Sequence, residues 1–152
     1  GDDILIDPFY LDKLIKFHLE NNLEYSNNKN LPGGTEVEIF NTNILKFLLD
    51  TIDDLSGTEY LTFFIQRYKD QFITGSLNIP KKHQSQQSLT IDTTNDFLFV
   101  KKFLKLMSKN KMKYDYTMDD IISYLQKNKK KNPISKKPIL INTDLKWEKI
   151  II

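Results

Sequence analysis

The chain has 152 residues, of which 39% are hydrophobic and 28% are charged, a composition that excludes fibrous and fully disordered proteins. No apolar run approaches the ~20 residues that a transmembrane helix needs. The sequence contains no cysteine and two histidines, His18 and His83, which excludes disulfides, thiolate metal sites and histidine-rich zinc sites. We therefore expect a cytoplasmic protein without a membrane partner.

The first half of the sequence predicts alternating strands and helices. Asp7 and Pro8 indicate a helix start, because Asp caps helices and Pro fits the first helical position, where its missing N–H would be unpaired anyway. Polar and apolar residues alternate over 35–40, which is typical of a strand with one wetter face. In chain order, we predict the end of a strand over 3–7, a helix from Pro8, an extended piece over 23–27, a strand over 35–40, a helix from Asn41 or Asn43, a helix from Thr58-Glu59 and a strand over 72–79.

The second half continues the alternation and then becomes rich in lysine. We predict a polar loop over 81–88, a strand over 89–91, a helix with an apolar stripe over 97–107 and a last helix from Thr117 through Leu125. Lys127 to Lys137 is a lysine-rich linker, and the residues from Pro138 onward fit no regular element. Alternating strands and helices predict an α/β domain, which we place at residues 1–126 with a linker and tail at 127–152.

Charge is distributed unevenly between the two halves. Residues 1–80 hold 6 cationic and 13 acidic side chains, whereas residues 81–152 hold 16 and 7. Such a split can indicate a noncatalytic module that binds nucleic acid or an acidic partner. All cations except Arg67 are Lys, and the sequence contains 13 Asn. Compositional drift in an AT-rich genome explains this Lys and Asn content as well as a nucleic-acid-binding function does. We therefore expect no nucleic-acid partner.

The candidate ligand-binding residues are carboxylates at predicted strand ends. Asp2 and Asp3 lie at the first strand, and Asp92 follows the strand over 89–91. Ligands of open α/β sheets bind beyond the carboxyl ends of the strands, and two carboxylates there could hold Mg²⁺. A lone Asp before a helix is also a common helix cap, so both interpretations of Asp92 stay open.

The remaining titratable residues receive structural interpretations. Asp7 and Asp96 are interpreted as helix-start residues. His18 lies on an apolar helical face and is expected at the edge of the core, whereas His83, in a polar loop, is expected to be solvated.

The order of several segments resembles the sugar cytidylyltransferases, the family that includes CMP-Kdo synthetase, acylneuraminate cytidylyltransferase and the branch of spore coat polysaccharide biosynthesis protein F. Gly1 to Pro8 resembles its Gly-Asp-x-Pro-Leu-Ile-Asp-Pro segment, and Pro32 to Phe40 resembles Pro-Asp-Gly-Leu-Asp-Val-Glu-Val-Phe. Further segments match in the same order: Tyr25-Ser26-Asn27, Thr58 to Thr62, Leu89 to Phe97 and the helix from Tyr116 to Leu125.

The resemblance implies a Rossmann-like nucleotide-diphospho-sugar transferase fold with a mixed sheet flanked by helices. It implies transfer of a cytidylyl group from CTP to a sugar acid, with release of pyrophosphate, for surface polysaccharide synthesis. Asp2 and Asp92 would then be Mg²⁺ ligands, and Glu36, Glu38 and Glu59 would line the sugar side. An exposed half-sheet would favour a homodimer.

The sequence also departs from the family pattern. Thr58 and Tyr60 replace an Arg and a His, and no segment corresponds to the family's amino-terminal Ala-Arg-x-x-Ser-x-Arg-Leu-Pro-Gly-Lys. We therefore expect the carboxyl-terminal portion of such an enzyme, with the nucleotide-binding half absent and no activity on its own. Nucleotide-sugar glycosyltransferases are the alternative enzyme class, but they would need an Asp-x-Asp pattern, which Asp2-Asp3-Ile4 does not supply.

Overall fold

Helices and short strands alternate along the part of the chain that the computed structural model describes, namely residues 2–53, 61–109 and 115–128 and the strand pair 139–143 and 146–150. In chain order the elements are α1 (Pro8–Glu20), β1 (Tyr25–Asn27), β2 (Glu38–Phe40), α2 (Thr42–Thr51), α3 (Leu61–Arg67), β3 (Thr74–Ser76), α4 (Thr94–Lys109), α5 (Met118–Lys127), β4 (Ile139–Thr143) and β5 (Lys146–Ile150). Single 3₁₀ turns lie at Lys69–Gln71 and Lys81–His83.

β1 is the central strand of a three-stranded mixed sheet with the order β2-β1-β3. It pairs antiparallel with β2, with Ser26 opposite Ile39, and parallel with β3, with Ser26 opposite Gly75. The parallel pair is joined through β2, α2 and α3, because parallel strands need a long crossover connection. The sheet therefore has the mixed, helix-flanked character that the sequence predicts.

α1 begins where the sequence predicts and packs on one face of this sheet. The Asp7 carboxylate caps the helix by accepting a hydrogen bond from the Phe9 N–H at 2.8 Å. Near the other end, His18 is 5% exposed, and its Nδ1 lies 2.9 Å from the Ser26 hydroxyl of β1. The interpretation of His18 as a histidine at the edge of the core is confirmed.

The apolar side chains form two clusters. One joins the 2–7 segment and α1 to α4 and α5 and includes Leu5, Tyr10, Phe103 and Ile121. The other lies between β1, α2 and α3 and includes Tyr25, Ile44, Leu48, Phe64 and Ile65. Each cluster buries the apolar face of its helices, which is the main stabilising contribution in a domain of this size.

Several predicted strands are shorter in the structure or are not strands. Residues 3–7 and 89–91 are extended without being assigned as strands, and the Ile91 N–H donates to the Asp2 carbonyl at 3.1 Å. The strand predicted over 35–40 is reduced to β2. Its first part leaves the sheet because the Asn28 side chain, rather than a backbone carbonyl, accepts the Val37 N–H at 2.6 Å.

The expectation that His83 is solvated is wrong. His83 is 7% exposed, its Nδ1 lies 2.6 Å from the Tyr10 hydroxyl, and its Nε2 lies 2.9 Å from Asp119 Oδ1. Asp119 also accepts a hydrogen bond from Lys82. The hydrogen bonds from His83 and Lys82 lower the pKa of Asp119. This network connects α1, the turn at 81–83 and α5.

Two regions complete the description. Beyond residue 138, where no element was expected, β4 and β5 form an antiparallel pair with Ile139 opposite Ile150 and Thr143 opposite Lys146. Most of the predicted linker, residues 129–137, lies outside the described part of the chain. Within the described residues, no helix combines the length and the apolar character needed to cross a membrane.

We expect Gly34→Ala to lower the free energy of unfolding by about 2 kcal/mol or more. Gly34 has a φ of +81°, and a Cβ there would lie 2.5 Å from the Thr90 backbone nitrogen. Asn30→Gly is the matched control, since Asn30 also has a positive φ of 81° but is exposed, and its effect should stay below about 1 kcal/mol. Urea denaturation measures the free energy of unfolding of both variants. Equal losses in the two variants would contradict the argument that the backbone of Thr90 leaves no room for a Cβ at residue 34.

Candidate functional site

Three carboxylates converge where the 2–7 segment runs beside residues 89–91. The hydrogen bond from Ile91 to the Asp2 carbonyl aligns the two segments and brings Asp2 and Asp3 close to Asp92. Burial raises the pKa of Asp3, and the negative charges of Asp2 and Asp92 raise it further, against a hydrogen bond from Thr90. We call Asp2, Asp3 and Asp92 the carboxylate edge.

Asp92 does not cap α4. The capping residue is Thr93, whose hydroxyl and N–H both donate to the Asp96 carboxylate, at 2.7 and 2.9 Å, while the Asp96 N–H lies 3.3 Å from the Thr93 hydroxyl. Asp96 is therefore a helix-start residue, as predicted. Asp92 is exposed, and its side chain forms no hydrogen bond within the described part of the chain. Of its two interpretations, the capping role is excluded and a ligand role stays open.

Glu36 extends this negative region toward β2. Burial raises the pKa of Glu36, and the charges of Glu38 and Asp3 add to that effect. A hydrogen bond from the Asn30 N–H to Glu36 Oε1, at 3.2 Å, and the charge of Lys29 act in the opposite direction. Glu36 is thus electrostatically connected to the carboxylate edge, although it comes from a distant part of the sequence.

Glu38 is held by two side chains of neighbouring elements. Its Oε1 accepts a hydrogen bond from the Tyr25 hydroxyl at 2.6 Å, and its Oε2 accepts one from the Thr62 hydroxyl of α3. Burial, followed by the hydrogen bond to Glu38 and its negative charge, raises the pKa of Tyr25. Glu38 therefore has a fixed orientation, and sequence reasoning missed both Tyr25 and Thr62 as the residues that fix it.

Glu59, the remaining predicted sugar-side residue, lies outside the described residues. Among the residues that are described, no group of three or more His, Asp or Glu side chains is arranged to hold a metal ion. A cation at the carboxylate edge would accordingly take few protein ligands and complete its coordination with other oxygens. Asp2 and Asp92 would offer two exposed carboxylates in a region of excess negative charge. Carboxylate oxygens of this kind fit the ligand preferences of Mg²⁺.

A polar cavity of about 480 Å³ lies on the sheet, beside Tyr25. It is lined by residues of β1, β3, α3 and the segments that follow β1 and α3: Tyr25, Asn27, Lys29, Ile65, Gln66, Lys69, Thr74, Gly75 and Ser76. The sequence analysis did not identify it. The only signal was the alternation of Tyr25, Asn27 and Lys29, which places these three side chains on one side of an extended segment.

The comparisons with known proteins first define the fold. A cytidylyltransferase from Leptospira borgpetersenii serovar Hardjo-bovis (strain JB197) superposes with a TM-score of 0.73 at 23% identity, over 84% of this chain and 54% of that one. The predicted α/β fold is therefore confirmed, and it is similar to the fold of this cytidylyltransferase. No protein-family model matches the chain.

Sequence similarity points to the same group. Over 131 residues, the chain is 28% identical to the spore coat polysaccharide biosynthesis protein SpsF of Bacillus subtilis (strain 168), which covers 84% of this chain and 53% of that protein. The resemblance to sugar cytidylyltransferases is thus confirmed in sequence and in fold. The chain spans about half the length of both relatives.

We expect Asp3→Asn to stabilise the chain at pH 7 and to have little effect below pH 4. The pKa of Asp3 is raised in the folded state, so ionisation costs folding free energy that is absent at low pH and develops as the pH rises through that pKa. Because Asp3 is only partly buried and remains accessible to solvent, the gain should stay below about 1 kcal/mol. Urea denaturation between pH 3 and 8 measures it, with the exposed Asp12→Asn as the control for net charge. A gain that grows toward low pH would contradict the assignment.

Proposed function

We propose that the chain is part of a nucleotidyltransferase that transfers a cytidylyl group from CTP to a hydroxyl of a sugar acid for surface polysaccharide synthesis. The similarity to SpsF of Bacillus subtilis and the cytidylyltransferase fold support this proposal. Because the chain spans about half of each relative, the activity is proposed for a protein of the relatives' full length.

The observation that carries the proposal is the placement of Asp2 and Asp92 on adjacent segments, where the charge of each raises the pKa of Asp3. Nucleotidyl transfer is an in-line displacement at the α-phosphorus, in which the protein mainly positions the reactants. Mg²⁺ supplies neutralisation of the charge on the phosphates. Asp2 and Asp92 would hold this ion. Asp3 would remain the neighbouring carboxylate, whose pKa is raised first by burial and then by the negative charges of Asp2 and Asp92.

The sugar side of the reaction is proposed to lie at Glu36 and Glu38, with Glu59 as a third carboxylate. Glu38 has both oxygens occupied by Tyr25 and Thr62, so its role is to orient these two side chains. Glu36 accepts one hydrogen bond through Oε1, which leaves Oε2 available to accept one from a sugar hydroxyl.

We expect Mg²⁺ to raise the melting temperature of the chain and Asp92→Asn or Asp2→Asn to weaken the apparent Mg²⁺ affinity at least about tenfold, because each removes one of two anionic ligands. Thermal unfolding against Mg²⁺ concentration at constant ionic strength measures this. Asp12→Asn, an exposed substitution on α1, is the matched control and should retain the wild-type response. An equal response of all four proteins would refute the metal assignment.

The reaction itself is tested in a protein of the relatives' full length. Pyrophosphate release from CTP should depend on Mg²⁺ and on a sugar acid, and Asp92→Asn should reduce it at least about 100-fold if Asp92 is a metal ligand. Metal-dependent binding of UDP-sugars in preference to CTP would instead identify a glycosyltransferase and reject the proposal.

A further inference from the structure

The outer face of α4 carries lysine and leucine side chains rather than charges of both signs. Its inner face, with Val100, Phe103 and Met107, is buried in the apolar cluster that joins α4 to α5. The exposed residues lie three or four positions apart, so they share one side of the helix. They are Leu98, Lys101, Lys102, Lys105, Leu106 and Lys109, which together we call the lysine face.

The four lysines of this face have no acidic partners. Lys101, Lys105 and Lys109 follow one another at four-residue intervals, a spacing at which like charges weaken a helix. Within the described part of the chain, no ion pair joins any of the four to a carboxylate. An external anionic surface would therefore relieve a repulsion that the helix itself leaves in place.

Further lysines begin next to this face, at the end of α5. The Lys102 ammonium group donates to Asn128 Oδ1 at 3.0 Å, which places the end of α5 beside the middle of α4. Lys127 is exposed at that end, and three more lysines follow Asn128 directly in the sequence, at 129–131. The lysine-rich segment therefore starts at the lysine face and adds to its positive charge.

The two carboxylates of α5 are engaged elsewhere. Asp119 is hydrogen-bonded to Lys82 and His83, at the turn that connects α1 with α5. Asp120 accepts hydrogen bonds from the N–H and the hydroxyl of Thr117, with which it caps the helix. Each of these carboxylates thus has a structural partner other than the lysines of α4.

Apolar side chains lie among the lysines. Leu98 is 54% exposed and Leu106 is 43% exposed, and the Lys101 ammonium group lies 5.5 Å from the centre of the exposed Phe97 ring. A membrane surface accommodates both kinds of side chain, because leucines enter the boundary of the acyl chains while lysines extend to the headgroups. The backbone of a nucleic acid would attract the lysines but would gain nothing from the leucines, and the face contains no Arg, which nucleic acids favour.

We propose that the lysine face of α4 binds the surface of a membrane that contains anionic lipids. Its lysines complement the negative charge of the headgroups, and its leucines insert between them. Adsorption of this kind needs no membrane-spanning helix, so it goes beyond the expectation, based on the length of apolar runs, that the chain has no membrane partner. It does not depend on the proposed nucleotidyl transfer.

Sedimentation of the chain with lipid vesicles tests the proposal. At low ionic strength, the chain should bind vesicles of phosphatidylcholine and phosphatidylglycerol at least about tenfold more tightly than vesicles of phosphatidylcholine alone. High salt should abolish this preference, because it screens the surface charges. Equal binding to both vesicles, or binding to neither, would overturn the proposal. Tighter binding to duplex DNA or single-stranded RNA, compared at equal phosphate concentration, would identify a nucleic acid as the partner and overturn it as well.

Lysine substitutions locate the surface. The double substitution Lys101→Gln and Lys105→Gln should weaken binding to the anionic vesicles at least about tenfold, because it removes two charges near the headgroups. The matched control is Lys13→Gln with Lys16→Gln, at two exposed lysines of α1, which changes the net charge equally and should bind like the wild type. Equal losses in the two double variants would show that net charge alone acts and would overturn the assignment to α4.

A leucine substitution tests insertion between the headgroups. Leu98→Ser should weaken binding to the anionic vesicles at least about threefold, because it removes apolar surface from the contact. Leu98 is exposed, so the melting temperature should stay close to that of the wild type. Wild-type affinity of this variant would overturn the insertion of the leucines. Asp92→Asn should not weaken binding to vesicles, which separates this outcome from that of the metal proposal.

Discussion

The hydrogen bond between His18 and Ser26 ties the first helix to the middle of the sheet and determines which side chains of β1 face the cavity. The Asn41 amide nitrogen donates to the Leu23 carbonyl at 3.3 Å, so its oxygen faces His18 Nε2 at 3.2 Å. That oxygen only accepts, so Nε2 carries a hydrogen and donates to it, while Nδ1 forms the hydrogen bond with the Ser26 hydroxyl. With Ser26 committed to α1, Tyr25 and Asn27 must face the other side, where the cavity lies.

Glu38 connects the carboxylate side of the molecule with the cavity, because it accepts the hydrogen bond of Tyr25, which lines the cavity. At the carboxylate edge, burial and like charges disfavour ionisation of Asp3, which is the condition that a cation relieves. Lys29 lowers the pKa of Glu36 and also lines the cavity, so its charge acts on the carboxylate side as well.

The sequence predicted best what is decided within a few residues. The Asp7 cap and the Thr117–Asp120 pair are local arrangements, and both occur in the structure. The predicted strands were too long because strand pairing depends on partners that are distant in sequence. At Val37, for example, the N–H donates to the Asn28 side chain instead of to a neighbouring strand. His83 was misjudged because the groups that bury and bind it, Tyr10 and Asp119, are remote in sequence. The cavity was missed because its lining residues come from distant parts of the sequence and share one surface only through the parallel pairing of β1 and β3 and the packing of α3.

Asp92 illustrates how local competition determines which residue is available for a ligand. Asp92, Thr93 and Asp96 could all contribute to the start of α4, and sequence alone left the cap undecided. Thr93 and Asp96 bond to each other, as Thr117 and Asp120 do at α5. The reciprocal pair satisfies the helix start, so nothing in α4 requires the Asp92 carboxylate. The carboxylate of Asp92 instead adds its negative charge to the burial that raises the pKa of Asp3, so the cap of α4 and the charge at the carboxylate edge depend on different residues.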